Sequence, residues 1–90
     1  MVHIQLSKKA EKGLIQAPSH IKNKFAIWIQ SLQRDGLLET RKRAGFHDEP
    51  LKGKREGERS VRLNKQWRVI YKEVNQVLEI QILEVMPHDY

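Results

Sequence analysis

The chain has 90 residues and no cysteine, which excludes a disulfide framework, a thiolate zinc site and a cysteine nucleophile. With only 5 Gly and 3 Pro, and with 39% hydrophobic and 31% charged residues, it is neither collagenous nor a low-complexity polymer. There is no internal self-similarity, so a repeat array is excluded as well. The longest unbroken apolar run is Phe25 to Ile29, far short of the ~20 residues a membrane span needs. Lys8, Lys9, Glu11 and Lys12 stand where the apolar part of a secretion signal would lie. These absences predict a soluble, cytoplasmic protein folding as a single domain over residues 1–90.

Acidic residues are the other scarcity. Eleven Asp and Glu stand against 17 Lys and Arg, for a net charge of +6. The excess is local: residues 41–72 hold 11 basic and 4 acidic side chains, while the rest of the chain is close to neutral. A segment that carries the whole excess suggests a polyanionic partner, although a solvated basic face has the same composition.

Hydrophobic periodicity sets out the elements. Val2, Ile4 and Leu6 alternate with polar residues and predict a half-buried strand. Ser7 suits a helix N-cap ahead of Ala10, Leu14 and Ala17, with Gly13 an unfavourable residue inside that helix. After Pro18, Ser19 can cap a second helix, in which Ile21, Phe25, Trp28 and Leu32 form one apolar stripe. That helix is expected to stop at Asp35-Gly36, with a further short turn over residues 37–43.

Gly45, Pro50, Gly53 and Gly57 then mark loop. Three alternating runs follow, around Val61, around Val69 and around Ile80, and predict an antiparallel meander. The alternation loses phase at Leu83, Val85 and Met86, which points to a bulge or to burial on both faces. The fold class is α+β: an N-terminal strand, a helical hairpin and a meander, with the helices on one face of a four-stranded sheet. The opposite face is expected to present Ser60, Arg62 and Arg68.

Such a face suits phosphate chemistry. Metal-free cleavage of RNA needs a base for the ribose 2′-OH, cations on the phosphate oxygens and an acid for the departing 5′-oxygen. Glu49 is a candidate base, Arg62 and Arg68 are candidate clamps, and His88 is a candidate acid. Arginine suits the clamp because its planar fork grips two oxygens and keeps its charge. No Asp, Glu and His cluster has metal-ligand spacing. Singly, these residues have plainer readings. Glu49 fits an ordinary loop carboxylate and His88 a solvated terminal residue. Arg62 and Arg68 fit cross-strand partners of Glu79 or Glu84, and Trp67 and Tyr71 fit the core rather than base-stacking platforms. His3, His20 and His47 carry no signal of their own.

The run Glu49-Pro50-Leu51-Lys52-Gly53, followed by Gly57, Ser60, Arg62, Asn64, Arg68 and Tyr71, resembles the C-terminal half of the RelE/ParE superfamily of bacterial toxins. Its YoeB-like and HigB-like branches are the most similar. The resemblance implies a ribosome-dependent mRNA endonuclease, the toxin of a type II toxin–antitoxin pair, leaving a 2′,3′-cyclic phosphate and using no cofactor. In that reading Glu49 holds the base position, Arg68 the phosphate-stabilising position, His88 the proton donor and Tyr90 a substrate-orienting position. Lys52, Lys54, Arg55 and Arg62 would grip message or ribosomal RNA. The partners implied are a cognate antitoxin, the ribosome and mRNA, with no membrane. The YoeB-like tail ends in adjacent His and Tyr, whereas here Asp89 separates His88 from Tyr90. A ParE-like gyrase inhibitor on the same fold, or an RNA-binding module without catalysis, are the competing expectations.

Overall fold

Ser7 joins the first strand to the first helix and fixes both to the far end of the chain. The structure, a computed structural model, describes residues 2–75 and 79–87. Strand β1 (His3–Leu6) runs into helix α1 (Lys8–Gln16) through Ser7, whose hydroxyl accepts the Ala10 N–H at 3.0 Å. The same hydroxyl donates to the Leu83 carbonyl at 2.7 Å, and the Ser7 N–H donates to the Ile82 carbonyl at 2.9 Å. The expected cap is therefore present, and it also serves as a long-range tie.

Helix α2 (Ser19–Arg41) starts one residue earlier than its sequence suggests. Pro18 rather than Ser19 is the N-cap, and its carbonyl accepts the N–H groups of Ile21 and Lys22. Proline fits there because its fixed φ leads into the helix and the cap needs no N–H of its own. The stripe Ile21, Phe25, Trp28 and Leu32 is buried as predicted. Gly36 breaks the helix with φ +83° and ψ 170°, a conformation that favours glycine, and helical geometry resumes through Arg41. A buried hydrogen bond between the Ser31 and Thr40 hydroxyls, at 2.7 Å, closes the break.

The sheet has five strands rather than four, in the order β1-β5-β4-β3-β2. The added strand is β2 (Glu49–Pro50), antiparallel to β3 (Arg59–Arg62) at one edge. Two exposed residues, one of them proline, carry no alternation that could announce a strand, and proline is confined to edges such as this. Strands β4 (Trp67–Val74) and β5 (Glu79–Pro87) complete the meander, and β1 lies parallel to β5 at the other edge.

The lost phase in β5 is a bulge. Tyr71 faces Ile82 while Ile70 faces Glu84, so Leu83 is the extra residue. Ile80 and Ile82 thereby share the helix-covered core with Val85, and Glu84 turns to the opposite face. The core joins Ala10, the α2 stripe, Val61, Val69, Tyr71 and the β5 isoleucines. Trp28 packs on Tyr71 with ring centroids 5.5 Å apart.

Gly13, unfavourable by helix propensity, has a packing reason. A Cβ there would lie 1.8 Å from the Val85 carbonyl oxygen, because α1 crosses β5 with backbone almost touching backbone. Helix propensity alone would make Gly13→Ala stabilising by about 1 kcal/mol. The overlap reverses that sign, since a backbone carbonyl cannot step aside, and overpacking costs about 1–3 kcal/mol. We expect Gly13→Ala to lower the thermal midpoint by roughly 5–20 °C for a domain of this size. An unchanged or raised midpoint in a calorimetric melt would show that the approach is looser than described.

Candidate active site

Strand pairing dictates what the open face of the sheet presents. Glu49 faces Ser60, Ser60 faces Ile70 and Ile70 faces Glu84, forming one cross-strand row. Two residues along, Arg62, Arg68 and Met86 form a second row on the same face. Between them lies a small depression, open to solvent and lined by His47, Glu49, Ser60, Arg62, Asn64, Lys65, Trp67 and Arg68. Glu49, Arg62 and Arg68, separated by up to 19 positions in the chain, thus come to one place. Asn64 shapes the rim: its Oδ1 accepts the N–H groups of Gln66 and Trp67 at 2.8 and 2.7 Å and closes the β3–β4 hairpin.

The two arginines stand directly opposite each other across β3 and β4. The Leu63 N–H donates to the Trp67 carbonyl, which makes the neighbouring Arg62–Arg68 pair a non-hydrogen-bonded one, the kind with closer side chains. Like charges so placed repel. Neither guanidinium has an acidic partner among the described residues, and the Nε of Arg68 is buried without a hydrogen-bond acceptor. The carboxylates expected to pair with them are engaged elsewhere. Glu84 is held by Arg55 and by Lys9 at 3.1 Å, and Glu79 accepts from the Asn75 amide. Burial pushes the Glu84 carboxyl up, but hydrogen bonds from Arg55 and Lys9 outweigh it and keep that carboxyl below its ordinary range. A desolvated guanidinium N–H without an acceptor, beside a second arginine, makes this part of the depression positively charged and rich in donors.

Beneath the depression is a buried polar cluster built on Asp48, whose side chain is 1% exposed. The Tyr71 hydroxyl donates to Asp48 Oδ2 at 2.5 Å and the Arg59 Nε donates to Oδ1 at 2.6 Å. Arg41, in the last turn of α2, reaches the Tyr71 hydroxyl at 3.4 Å and Glu73 at 3.4 Å. Burial first, and then Asp48, push the Tyr71 phenol well above its usual range, with Arg41 acting the other way. Asp48 precedes Glu49, so an inward carboxylate anchors the two-residue strand from which Glu49 faces out.

The other predicted residues fare differently. Lys52 and Lys54 are exposed on the segment between β2 and β3 and do not line the depression. Arg55, expected at the RNA surface, is instead engaged by Glu58 at 2.7 Å and by Glu84. His88 and Tyr90 lie outside the described residues. Pro87, the last residue described, pairs with Trp67 at the rim. Tyr71 takes the core position already open to it. His47 was not legible as a site residue: a lone histidine in a glycine-marked loop has no periodicity to read, and the turn places it in the depression.

Two outcomes follow for the buried cluster. Asp48→Ala leaves Arg59 and the Tyr71 hydroxyl without their acceptor, and should cost about 3 kcal/mol or more in a urea titration; a loss under about 1 kcal/mol would remove Asp48 as anchor. Because the folded Tyr71 pKa lies above the unfolded one, its contribution is complete below about pH 10 and is lost as pH rises beyond that. In a Tyr90→Phe background, phenolate absorbance should therefore appear together with unfolding and not before it.

No family model matches the chain, and no curated protein matches it in sequence. Solved structures do match. YafQ from E. coli strain BL21(DE3) superposes with a TM-score of 0.78 at 20% identity, over 98% of this chain and 94% of that one. YoeB in the YoeB–YefM complex of Staphylococcus aureus gives 0.74 at 23% identity, covering 99% of each chain. The archaeal RelE–RelB complex of Pyrococcus horikoshii OT3 gives 0.73 at 24% identity, over 96% of this chain and 93% of that one. The first strand, the two helices and the meander share the fold of these solved toxin structures.

Proposed function

We propose that this chain is the toxin of a type II toxin–antitoxin module and acts as a ribosome-dependent, metal-independent mRNA endonuclease. The observation that carries this reading is the opposed pair Arg62 and Arg68, without acidic partners among the described residues, in one depression with Glu49. The guanidinium groups bind the non-bridging oxygens of a phosphodiester. Glu49 takes the proton from the 2′-OH, the 2′-oxygen forms a bond to phosphorus, and the bond from phosphorus to the 5′-oxygen breaks. His88 gives its proton to that leaving oxygen. The products are a 2′,3′-cyclic phosphate and a free 5′-OH, and proton exchange with water restores both side chains.

The acid is assigned to His88 from the sequence resemblance, and the position of Pro87 beside Trp67 supports it: the tail starts from the rim. Tyr90 is proposed to orient the substrate. Trp67, at the same rim, packs against the core and supports the depression from below. Lys52, Lys54 and the rest of the basic segment meet ribosomal RNA, whose phosphates position the enzyme and make binding salt-dependent. Arg55 contributes to this surface only through the exposed part of its side chain.

The E. coli YafQ has been crystallised with DinJ as a toxin–antitoxin complex, which supports assigning a cognate antitoxin here. An acidic or amphipathic segment laid over Arg62 and Arg68 would cancel the charge that the message requires. Its affinity should fall steeply with added salt; an affinity indifferent to salt would place it on another surface.

Primer extension on a translated reporter message tests the activity. The wild-type chain should give discrete cuts inside translated codons. Arg68→Ala, Glu49→Gln and His88→Ala should each reduce cutting about 100-fold or more, the usual loss for a transition-state cation or a proton-transfer group. Arrest of growth with an intact message would remove the nuclease and turn attention to DNA gyrase.

A further inference from the structure

The turn ahead of β2 puts one side chain in the depression that the proposed reaction leaves without a role. His47 is exposed at the wall that also carries Glu49, across from Arg62, Lys65 and Arg68. It sits between two buried neighbours, Phe46 at 5% exposure and the Asp48 carboxylate, so its backbone is held on both sides. Its φ of 45° and ψ of 48° are left-handed, a conformation that few side chains adopt and that persists only where the surroundings impose it. Among the described residues its ring makes no hydrogen bond or ion pair. An exposed imidazole, rigidly mounted and without a partner, faces a site built for phosphate.

The site also has a need that His47 meets. Arg62 and Arg68 both approach from the β3–β4 side, whereas a phosphodiester has two non-bridging oxygens. The opposite wall bears the Glu49 carboxylate, which repels an incoming phosphate. We propose that His47 is an RNA-binding residue of this depression. Its protonated imidazole donates to the non-bridging oxygen turned towards Glu49, so RNA affinity is expected to rise as the pH falls. This rests on the reading of the depression as an RNA site. The charged groups facing His47 are Glu49 from β2, Arg62 from β3, Lys65 from the hairpin and Arg68 from β4. These are one carboxylate and three cations, so His47 is the one imidazole among the described residues that line the depression.

The test uses the full chain and a labelled 2′-O-methyl RNA, which lacks the nucleophilic hydroxyl and cannot be cut. Fluorescence anisotropy at about pH 6 and about pH 8 should show wild type binding about fivefold tighter or more at the lower pH, the size of a modest coupling. His47→Asn tolerates the left-handed backbone but does not titrate, and should bring that ratio close to one. His47→Gly suits the backbone better still. It should keep or raise the thermal midpoint while losing the pH dependence, which a purely structural role would not do. His20→Asn, on exposed α2 surface outside the depression, should retain the wild-type ratio. The proposal is overturned if His47→Asn keeps that ratio, if His20→Asn abolishes it, or if wild type shows no saturable binding. Intact pH-dependent binding with no cleavage of a normal message would remove the nuclease and leave His47 in place.

Discussion

The Asp48 carboxylate is the contact on which the rest of the site depends. A charge almost fully removed from water persists only where donors surround it, and here those donors come from distant parts of the chain. Tyr71 reaches it from the middle of β4 and Arg59 from the start of β3, while Arg41, at the end of α2, joins through the Tyr71 hydroxyl. One buried group thus holds the C-terminal end of the long helix, the central strand and the short edge strand in register. Two residues of strand have little pairing energy of their own, and β2 borrows its rigidity from the carboxylate beside it. His47 and Glu49, on either side of Asp48, face the depression because Asp48 does not.

The opposite wall is governed by repulsion. In most sheets a pair of arginines at directly opposed positions would be relieved by nearby carboxylates. This sheet has such carboxylates, but it engages Glu84 with Lys9 and Arg55 and leaves Arg62 and Arg68 to each other. The bulge at Leu83 is part of that arrangement. It turns Glu84 to the open face and lets Val85 return to the core, and its carbonyl receives the cap hydroxyl of Ser7. Packing near β1 and α1 and electrostatics near β3 and β4 are therefore coupled through one irregular strand.

Much of this was legible beforehand. The stripe from Ile21 to Leu32 and the alternating runs around Val61, Val69 and Ile80 required helices on one face of a sheet. The motif from Glu49 to Arg68 pointed to the residues that line the depression. Other features left no local trace. Strand β2 has neither length nor alternation, and the N-cap moved to Pro18 because the chain bends there before any side chain can cap it. Arg55 read as one more basic residue of a basic segment, because its engagement with Glu84 joins positions 29 apart in the chain.

Sequence by itself determined the layer order, the apolar faces and the concentration of positive charge, since these follow from periodicity and composition within short windows. Tertiary structure alone decided which charges cancel and which remain. Lys9 and Arg55 are neutralised by a carboxylate that the β5 bulge turns towards them, whereas Arg62 and Arg68 are not. It also decided that Gly13 is a contact rather than a weak point, and that His47 belongs to the site. The physical reason is the same in each case: electrostatic and steric energies depend on distance in space, and strand register and helix crossing set those distances.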